Sequence, residues 1–139
     1  MLRIVVDPSS FAEAAGGTVA GRLHIESDDL CFPDDDWWDF PLVVLGWWLT
    51  AIRSAGGDDF ELRFMDGPFR VDCSRAADRV QFVFVRDGAA GDIEVGSGIS
   101  TSADLSAEIE AAATAALSYC LGASLPTGGL ERLVGLPPE

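Results

Sequence analysis

The segment that most constrains the fold of this chain begins at Asp34 and reads DDDWWDFPLVVLGWWLTAIR. It opens with three consecutive carboxylates, which need water, and no charged residue follows Asp39 until Arg53. Apolar side chains recur after Asp39 at the i, i+3, i+4 and i+7 spacing of a helix, and a second apolar stripe fills the neighbouring side. The two stripes consist of Phe40, Val43, Val44, Trp47, Trp48 and Ala51, and of Leu42, Leu45, Leu49 and Ile52. Because a helix that is apolar nearly all round has to be buried, the pattern predicts a core helix over residues 36–55.

The residues at both ends of this segment suit a helix. Pro41 fits a first helical turn, and Asp39 is expected to cap the helix or to complement its dipole. A pair of glycines at positions 56–57 is expected to end it. Both Trp47 and Trp48 are expected to lie in the core.

Two strands are predicted before the helix. The first covers residues 2–6 and is expected to stop at the turn-forming run of residues 7–10, DPSS. The second covers residues 18–26, where an apolar face alternates with a polar face. The polar face carries Arg22, His24 and Glu26.

A meander of antiparallel strands is predicted over residues 58–96, and its first half is a clear hairpin. Phe60 and Leu62 alternate with charged residues ahead of a turn at residues 66–68, DGP. Gly67 is expected to take a backbone conformation that a Cβ would penalise.

The second half of the meander is expected to contain a central strand and a short one. Residues 80–86 are apolar on both faces, which favours a strand covered on each side. Residues 93–95 are expected to add a short strand. The following Gly-Ser-Gly at residues 96–98 is expected to be a flexible connection, because the third glycine of a nucleotide-binding turn is missing.

The C-terminal part is predicted to be helical over residues 101–122 and irregular over residues 123–139. Thr101 and Asp104 resemble a capping box, with Asp in place of the usual Glu or Gln. Apolar and small residues then recur at helical spacing, at Leu105, Ile109, Ala112, Ala116 and Cys120. Within the tail only residues 130–134 are expected to form a turn of helix.

These elements predict one α+β domain over residues 1–139. The length of 139 residues and the hydrophobic content of 48% suit a single sizeable core. Residues 1–35 supply two strands and an acidic loop. The predicted architecture is strand, strand, helix, meander, helix: a mostly antiparallel sheet with a buried central helix and a C-terminal helix packed on the sheet.

The charge of the chain restricts its partners. The formal net charge is −14, and all nine basic residues are arginine. This imbalance opposes binding to nucleic acid or to anionic membranes and favours fast association with a basic protein, although acidity also keeps a small apolar domain dissolved. No run approaches the roughly 18 apolar residues of a membrane helix, and the start does not resemble a signal peptide. A cytoplasmic protein, either a monomer or a weak homodimer, is therefore expected.

The sequence predicts no catalytic residue, no metal site and no cofactor. A chain without lysine has no P-loop lysine and forms no Schiff base. The cysteines Cys31, Cys73 and Cys120 fit neither a disulfide framework nor a metal-binding pair, and they are expected to be core thiols. His24 is expected on the polar face of its strand, and no Gly-x-Ser-x-Gly motif accompanies it. A catalytic pair among the 23 acidic residues stays open.

The acidic run at residues 34–36 has three interpretations: a solvated loop or helix start, a site for a hard cation, and a contact surface for a protein. The spacing of its acids departs from the alternating ligands of a calcium loop. The adjacent tryptophans favour a contact surface, because an aromatic anchor with a charged rim is typical of interfaces. The alternative is that both tryptophan rings fold over the edge of the core. The predicted partner-binding residues are Asp34, Asp35, Asp36, Trp37, Trp38, Asp58, Asp59 and Glu61.

The segments FPDDDWWDFPLVVLGWWL and FELRFMDGPFRV resemble small acidic bacterial proteins of the kind encoded beside polymorphic toxins as immunity proteins. The resemblance implies a single-domain cytoplasmic protein that covers the active site or substrate groove of a cognate toxin. The leading hypothesis is therefore a non-enzymatic immunity protein with a basic toxin domain as its partner. The alternative is a small hydrolase or ligand-binding domain that uses clustered carboxylates.

Overall fold

The computed structural model of the protein describes residues 2–135, which form two antiparallel four-stranded sheets and three helices. The strands are β1 (Leu2–Glu13), β2 (Val19–Ser27), β3 (Leu30–Phe32), β4 (Trp38–Asp39), β5 (Phe60–Arg63), β6 (Phe69–Ala76), β7 (Arg79–Arg86) and β8 (Ile93–Thr101). The helices are α1 (Pro41–Ser54), α2 (Ser102–Gly122) and α3 (Leu130–Val134). The predicted α+β class with antiparallel strands is confirmed, although the strands divide between two sheets.

The first sheet contains β1, β2, β3 and β4, and β2 pairs with the other three. The predicted stop of β1 at residues 7–10 is wrong, because the strand continues past a register irregularity between Asp7 and Ala12. A proline is tolerated here since β1 is an edge strand, where one side of the backbone is not needed for the ladder. The apolar face of β2 is buried as predicted, at Val19, Gly21, Leu23 and Ile25.

The second sheet has the strand order β5-β6-β7-β8. The predicted hairpin is present, and its register places Leu62 opposite Val71. The predicted conformation of the turn is also confirmed, because Gly67 has a φ of 71°. A Cβ on Gly67 would lie 2.8 Å from Cη2 of Trp37. The turn therefore packs closely against the segment that precedes α1.

Strand β8 is longer than predicted, and it replaces the flexible connection expected at residues 96–98. It pairs with β7 from Ile93 to Thr101, so that Gly98 lies opposite Phe82. A Cβ on Gly98 would lie 2.5 Å from Cζ of Phe82. This glycine is therefore a packing position that lets a core aromatic ring approach the backbone of β8.

Replacing Gly98 by alanine should lower the free energy of unfolding by about 1–3 kcal/mol, because the Phe82 ring has to move in a packed core. The matched control is Gly57→Ala, where no described atom lies within 4 Å of the added Cβ. Urea denaturation compares the two variants. A Gly98 variant within about 0.5 kcal/mol of wild type would contradict the packing role.

Helix α1 begins later and is buried on fewer sides than predicted. Residues 36–40 precede it, and Phe40 is its N-cap. Among the described residues no side chain caps the helix, so the first of the two roles expected of Asp39, that of a cap, is wrong. Trp48 is fully buried as predicted, but Trp47 is 45% exposed and does not lie in the core. The cause is that α1 packs against α2, α3, β2 and β5 and leaves one side to solvent.

Helix α2 confirms the predicted C-terminal helix to within one residue. Thr101 caps it by accepting a hydrogen bond from the backbone N–H of Asp104 at 3.0 Å. The helix also packs on β1, where the Glu108 carboxylate accepts a hydrogen bond from the backbone N–H of Ile4 at 3.1 Å. Helix α3 coincides with the turn predicted in the tail. The end of that tail, residues 136–139, lies outside the described residues.

One hydrophobic cluster includes side chains from both sheets and from all three helices. Phe32 of β3 stacks on Phe84 of β7, with ring centroids 4.8 Å apart. Trp48 of α1 meets the ring of Phe64 edge-on, at a centroid distance of 5.2 Å. These rings join the sheets and α1 through their buried faces. Within residues 2–135, no helix combines the length and the apolar character that crossing a membrane requires.

A candidate acidic and aromatic binding surface

The acidic run lies in a loop between β3 and β4. Strand β3 ends opposite Ile25 of β2, and β4 begins opposite Arg22 of the same strand. Residues 33–36, which we call the acidic loop, leave the sheet between these two pairings, beside Leu23 and His24. The strands on both sides of the loop pair with β2, so both ends of the loop are fixed to the first sheet.

The carboxylates of the acidic loop are exposed, and two of them are tied to the loop or to the sheet. The Asp34 carboxylate accepts a hydrogen bond from the backbone N–H of Asp36 at 2.7 Å. Asp36 forms an ion pair of 2.8 Å with Nε of Arg22, whose guanidinium lies 5.2 Å from the centre of the Trp38 ring. We call this group the Trp38 surface, and it consists of Arg22, Asp34, Asp35, Asp36 and Trp38.

The two tryptophans beside the acidic loop differ in their surroundings. Trp38 is 44% exposed. Trp37 is partly buried: its indole N–H donates to the Asp39 carboxylate at 2.9 Å, and its ring meets Phe69 edge-on at 5.1 Å. Neither lies in the helix, contrary to the prediction. Because successive side chains of an extended segment point to opposite faces, one ring faces the core and the other faces solvent.

Asp39, which was expected to act at the start of the helix, is a buried carboxylate. It is 2% exposed and accepts hydrogen bonds from the Trp37 indole at 2.9 Å, from the Phe40 backbone N–H at 2.8 Å and from the Asp66 backbone N–H at 3.2 Å. Burial raises the pKa of the Asp39 carboxyl, and these hydrogen bonds oppose the shift. Asp39 therefore ties β4 and the start of α1 to the turn between β5 and β6.

The second predicted group of acids lies elsewhere on the molecule. Asp58 and Asp59 are exposed and precede β5, and Asp59 accepts a hydrogen bond from the backbone N–H of Arg75 at 3.0 Å. Glu61 lies on β5 and forms ion pairs with arginines of the second sheet. Trp37, which follows the acidic loop, packs against the turn between β5 and β6. This turn lies at the opposite end of β5 from Asp58 and Asp59. The structure therefore does not bring the two predicted groups together.

A network of ion pairs around Arg70 lies on the outer face of the second sheet. The Arg70 side chain is 12% exposed, and its guanidinium lies 2.9 Å from Asp72, 2.8 Å from Asp92 and in contact with Asp87. Arg70 also lowers the pKa of the Asp92 carboxyl. The sequence alone does not show this network, because Asp87 and Asp92 meet Arg70 only through the pairing of β6 with β7 and the loop that follows. Its acids are already paired internally.

A third group combines three different ligand chemistries. His24 and Glu26 lie on one face of β2, and Cys31 of β3 lies opposite Glu26. One side-chain ligand atom from each residue lies within 4.8 Å of the other two. His24 is buried although it lies on the polar face, and Cys31 is only partly buried, contrary to the prediction of a core thiol. The other two cysteines, Cys73 and Cys120, are buried as predicted.

Comparisons with protein-family models, with curated proteins and with solved structures found no match to this chain. What the protein does has therefore to be inferred from the groups described above. Of these groups, the Trp38 surface is the one that combines a large exposed aromatic ring with several exposed carboxylates.

Proposed function

We propose that this protein is a non-enzymatic binding protein that recognises a basic protein partner through the Trp38 surface. The observation that carries the proposal is the exposure of the Trp38 ring beside the carboxylates of the acidic loop. In its most concrete form, the protein is a cytoplasmic immunity protein. It neutralises a cognate bacterial toxin by covering the basic active-site or substrate surface of that toxin.

Trp38 is suited to anchor a partner because its ring is already held in place. Strand β4 pairs with β2, and the Arg22 guanidinium lies over the ring while it also binds Asp36. A side chain that is ordered before binding loses little conformational entropy when the complex forms. Tryptophan is also the residue type most enriched among interface positions that dominate binding energy.

The charge distribution favours a partner of opposite sign. The chain has a net charge of −14, and the arginine nearest to Trp38 is engaged by Asp36 and lies 3.6 Å from Asp7. The acidic rim around Trp38 would therefore attract a basic surface over a distance and orient it during association. Covering a nucleic-acid-directed toxin requires this kind of acidic surface, because such toxins bind phosphates with cationic residues.

The alternative function, a carboxylate-dependent hydrolase or a ligand-binding domain, has less support. Such an enzyme needs an acid with a raised pKa whose oxygens are available to a substrate. Asp39 has the raised pKa, but both of its carboxylate oxygens accept hydrogen bonds from the surrounding chain. A structural role explains this acid without a substrate.

The experiment first identifies the partner by a pull-down with this protein followed by mass spectrometry, and a basic toxin domain is the expected result. Replacing Asp34, Asp35 and Asp36 by asparagine should slow association with that partner by about tenfold at low salt and flatten its dependence on ionic strength. Trp38→Ala should instead speed dissociation by about 30-fold, which corresponds to about 2 kcal/mol. Stopped-flow tryptophan fluorescence measures the two rates separately.

The matched control replaces three exposed acids elsewhere, as Glu13→Gln, Asp78→Asn and Glu94→Gln, so that the net charge is the same as in the acidic-loop variant. Urea denaturation of every variant separates a binding defect from a loss of folding. Co-expression with the toxin should show protection of the host by wild type and by the control, and weaker protection by the Trp38→Ala variant. Equal association rates for the control and the acidic-loop variant would show that the acidic loop is only solvated. Wild-type dissociation of the Trp38→Ala variant would exclude Trp38 as the anchor.

A further inference from the structure

We propose that His24, Glu26 and Cys31 bind a divalent transition-metal ion, for which Zn²⁺ is the best match. The three side chains offer an imidazole nitrogen, a carboxylate oxygen and a thiolate sulfur, which are the ligand types that zinc prefers. A hard cation such as Ca²⁺ would make no use of the sulfur or of the nitrogen. The proposal is independent of the partner-binding function.

Strand pairing brings the three ligands together. Side chains at i and i+2 of a strand share a face, so His24 and Glu26 point to the same side of β2, and Cys31 faces that side from the paired position on β3. Nε2 of His24 lies 3.2 Å from Oε2 of Glu26, and Sγ of Cys31 lies 4.0 Å from the same oxygen. Tetrahedral zinc with bonds of about 2.0–2.3 Å puts its ligand atoms about 3.5 Å apart. Small side-chain rotations therefore suffice to enclose an ion.

The surroundings of the three ligands favour a cation. The carboxylates of Glu26, Asp35 and Asp34 act electrostatically on the Cys31 sulfur. The same negative charges stabilise a metal ion, which in turn stabilises the thiolate. Three protein ligands leave the fourth position of the tetrahedron open, and a water molecule fills it.

The proton balance of binding is simple. Cys31 releases its thiol proton to solvent. The hydrogen that Nε2 of His24 donates to Glu26 leaves that nitrogen, and the imidazole binds the ion through Nε2 with its one remaining proton on Nδ1. The hydrogen bond between His24 and Glu26 is replaced by two bonds to the metal. The guanidinium of Arg3 lies 3.6 Å from Oε1 of Glu26 and leaves Oε2 for the ion. The bound ion would connect β2 to β3 and hold the start of the acidic loop.

Co²⁺ is the probe, because its complexes with thiolates have a charge-transfer absorption in the near ultraviolet. Adding Co²⁺ to the reduced full chain should produce this band with an end point at one equivalent, and Zn²⁺ but not Ca²⁺ should abolish it. Zn²⁺ should also raise the melting temperature, because it binds the folded state in preference. Cys31→Ser should eliminate the band. Since loss of even an outer partner costs about 10- to 100-fold in metal affinity, Cys31→Ser should weaken Zn²⁺ binding at least that much.

Two control variants separate this site from other thiols and acids. Cys120→Ala removes a buried thiol of α2 and should leave the band and the Zn²⁺ affinity unchanged. Arg3→Gln removes a cation beside Glu26 and should leave Zn²⁺ affinity unchanged or raise it. Circular dichroism verifies that each variant is folded. The proposal is overturned if Co²⁺ gives no charge-transfer band, if the band survives in Cys31→Ser, or if Zn²⁺ binding depends on the acidic-loop carboxylates and not on Cys31.

Discussion

Replacing Trp48 by alanine should lower the free energy of unfolding by about 3–5 kcal/mol, a large share of the stability of a small domain. Trp48 is fully buried, its ring meets Phe64 edge-on, and its indole N–H donates a hydrogen bond to the backbone carbonyl of Arg63 at 2.8 Å. The substitution removes the packing and leaves that carbonyl without its donor. Urea denaturation measures the loss.

The neighbouring tryptophan provides a matched control on the same helix. Trp47 is 45% exposed, so Trp47→Ala removes less buried area and should cost about 1 kcal/mol. Trp48→Phe keeps most of the packing and loses the hydrogen bond, so its cost should lie between those of the two alanine variants. Equal losses for Trp47→Ala and Trp48→Ala would contradict the observed orientation of α1.

Replacing Asp39 by alanine should cost about 2–4 kcal/mol, because three N–H donors lose their acceptor in a buried region. These donors belong to Trp37, Phe40 and Asp66, so the segment before α1 and the β5–β6 turn should loosen together. Asp39→Asn keeps one acceptor oxygen and should cost less. Urea denaturation measures the stability, and hydrogen exchange at the backbone amides of Phe40 and Asp66 reports the local loosening. Wild-type protection at both amides in the alanine variant would contradict this role.

The raised pKa of the Asp39 carboxyl predicts the direction in which the free energy of unfolding changes with pH. The pKa of Asp39 is raised by burial above its ordinary value of 3.8, so the fold favours the protonated form relative to the unfolded chain. The stability that this preference contributes is fully present below the pKa of Asp39 in the unfolded chain, and it is lost as the pH rises through the pKa of Asp39 in the folded protein. As the pH rises through that window, the unfolding free energy of wild type should therefore fall relative to that of the Asp39→Asn variant. A shift in favour of wild type would show that the three hydrogen bonds outweigh burial.

Local patterns predicted the elements whose signals lie close together in sequence. The alternation from Phe60 to Leu62 and the glycine at position 67 correctly predicted a hairpin with a left-handed residue in its turn. The Thr101 cap placed the start of α2 to within one residue. Each of these features depends on interactions between residues only a few positions apart, which a single sequence displays directly.

Predictions about which surface faces the core were less reliable. The apolar pattern predicted a helix over residues 36–55 that is buried nearly all round. Because β4 pairs with β2, the helix begins only at Pro41, and residues 36–40 lie outside it. Trp47 faces solvent because the elements that pack against α1 leave one of its sides uncovered. The Gly-Ser-Gly at residues 96–98 was expected to be flexible, but it lies in β8, where a Cβ would meet the Phe82 ring at Gly98 and the Leu30 side chain at Gly96.

The sequence by itself determined the acidic character, the α+β class and the adjacency of carboxylates and tryptophans. Only the tertiary structure decided that Trp38 is exposed while Trp37 and Asp39 turn inward, and that His24 and Cys31 meet at Glu26. The physical reason is that composition and periodicity are properties of the chain alone. The face that a side chain occupies, and the groups that it meets there, depend on strand register and on the elements that pack against it.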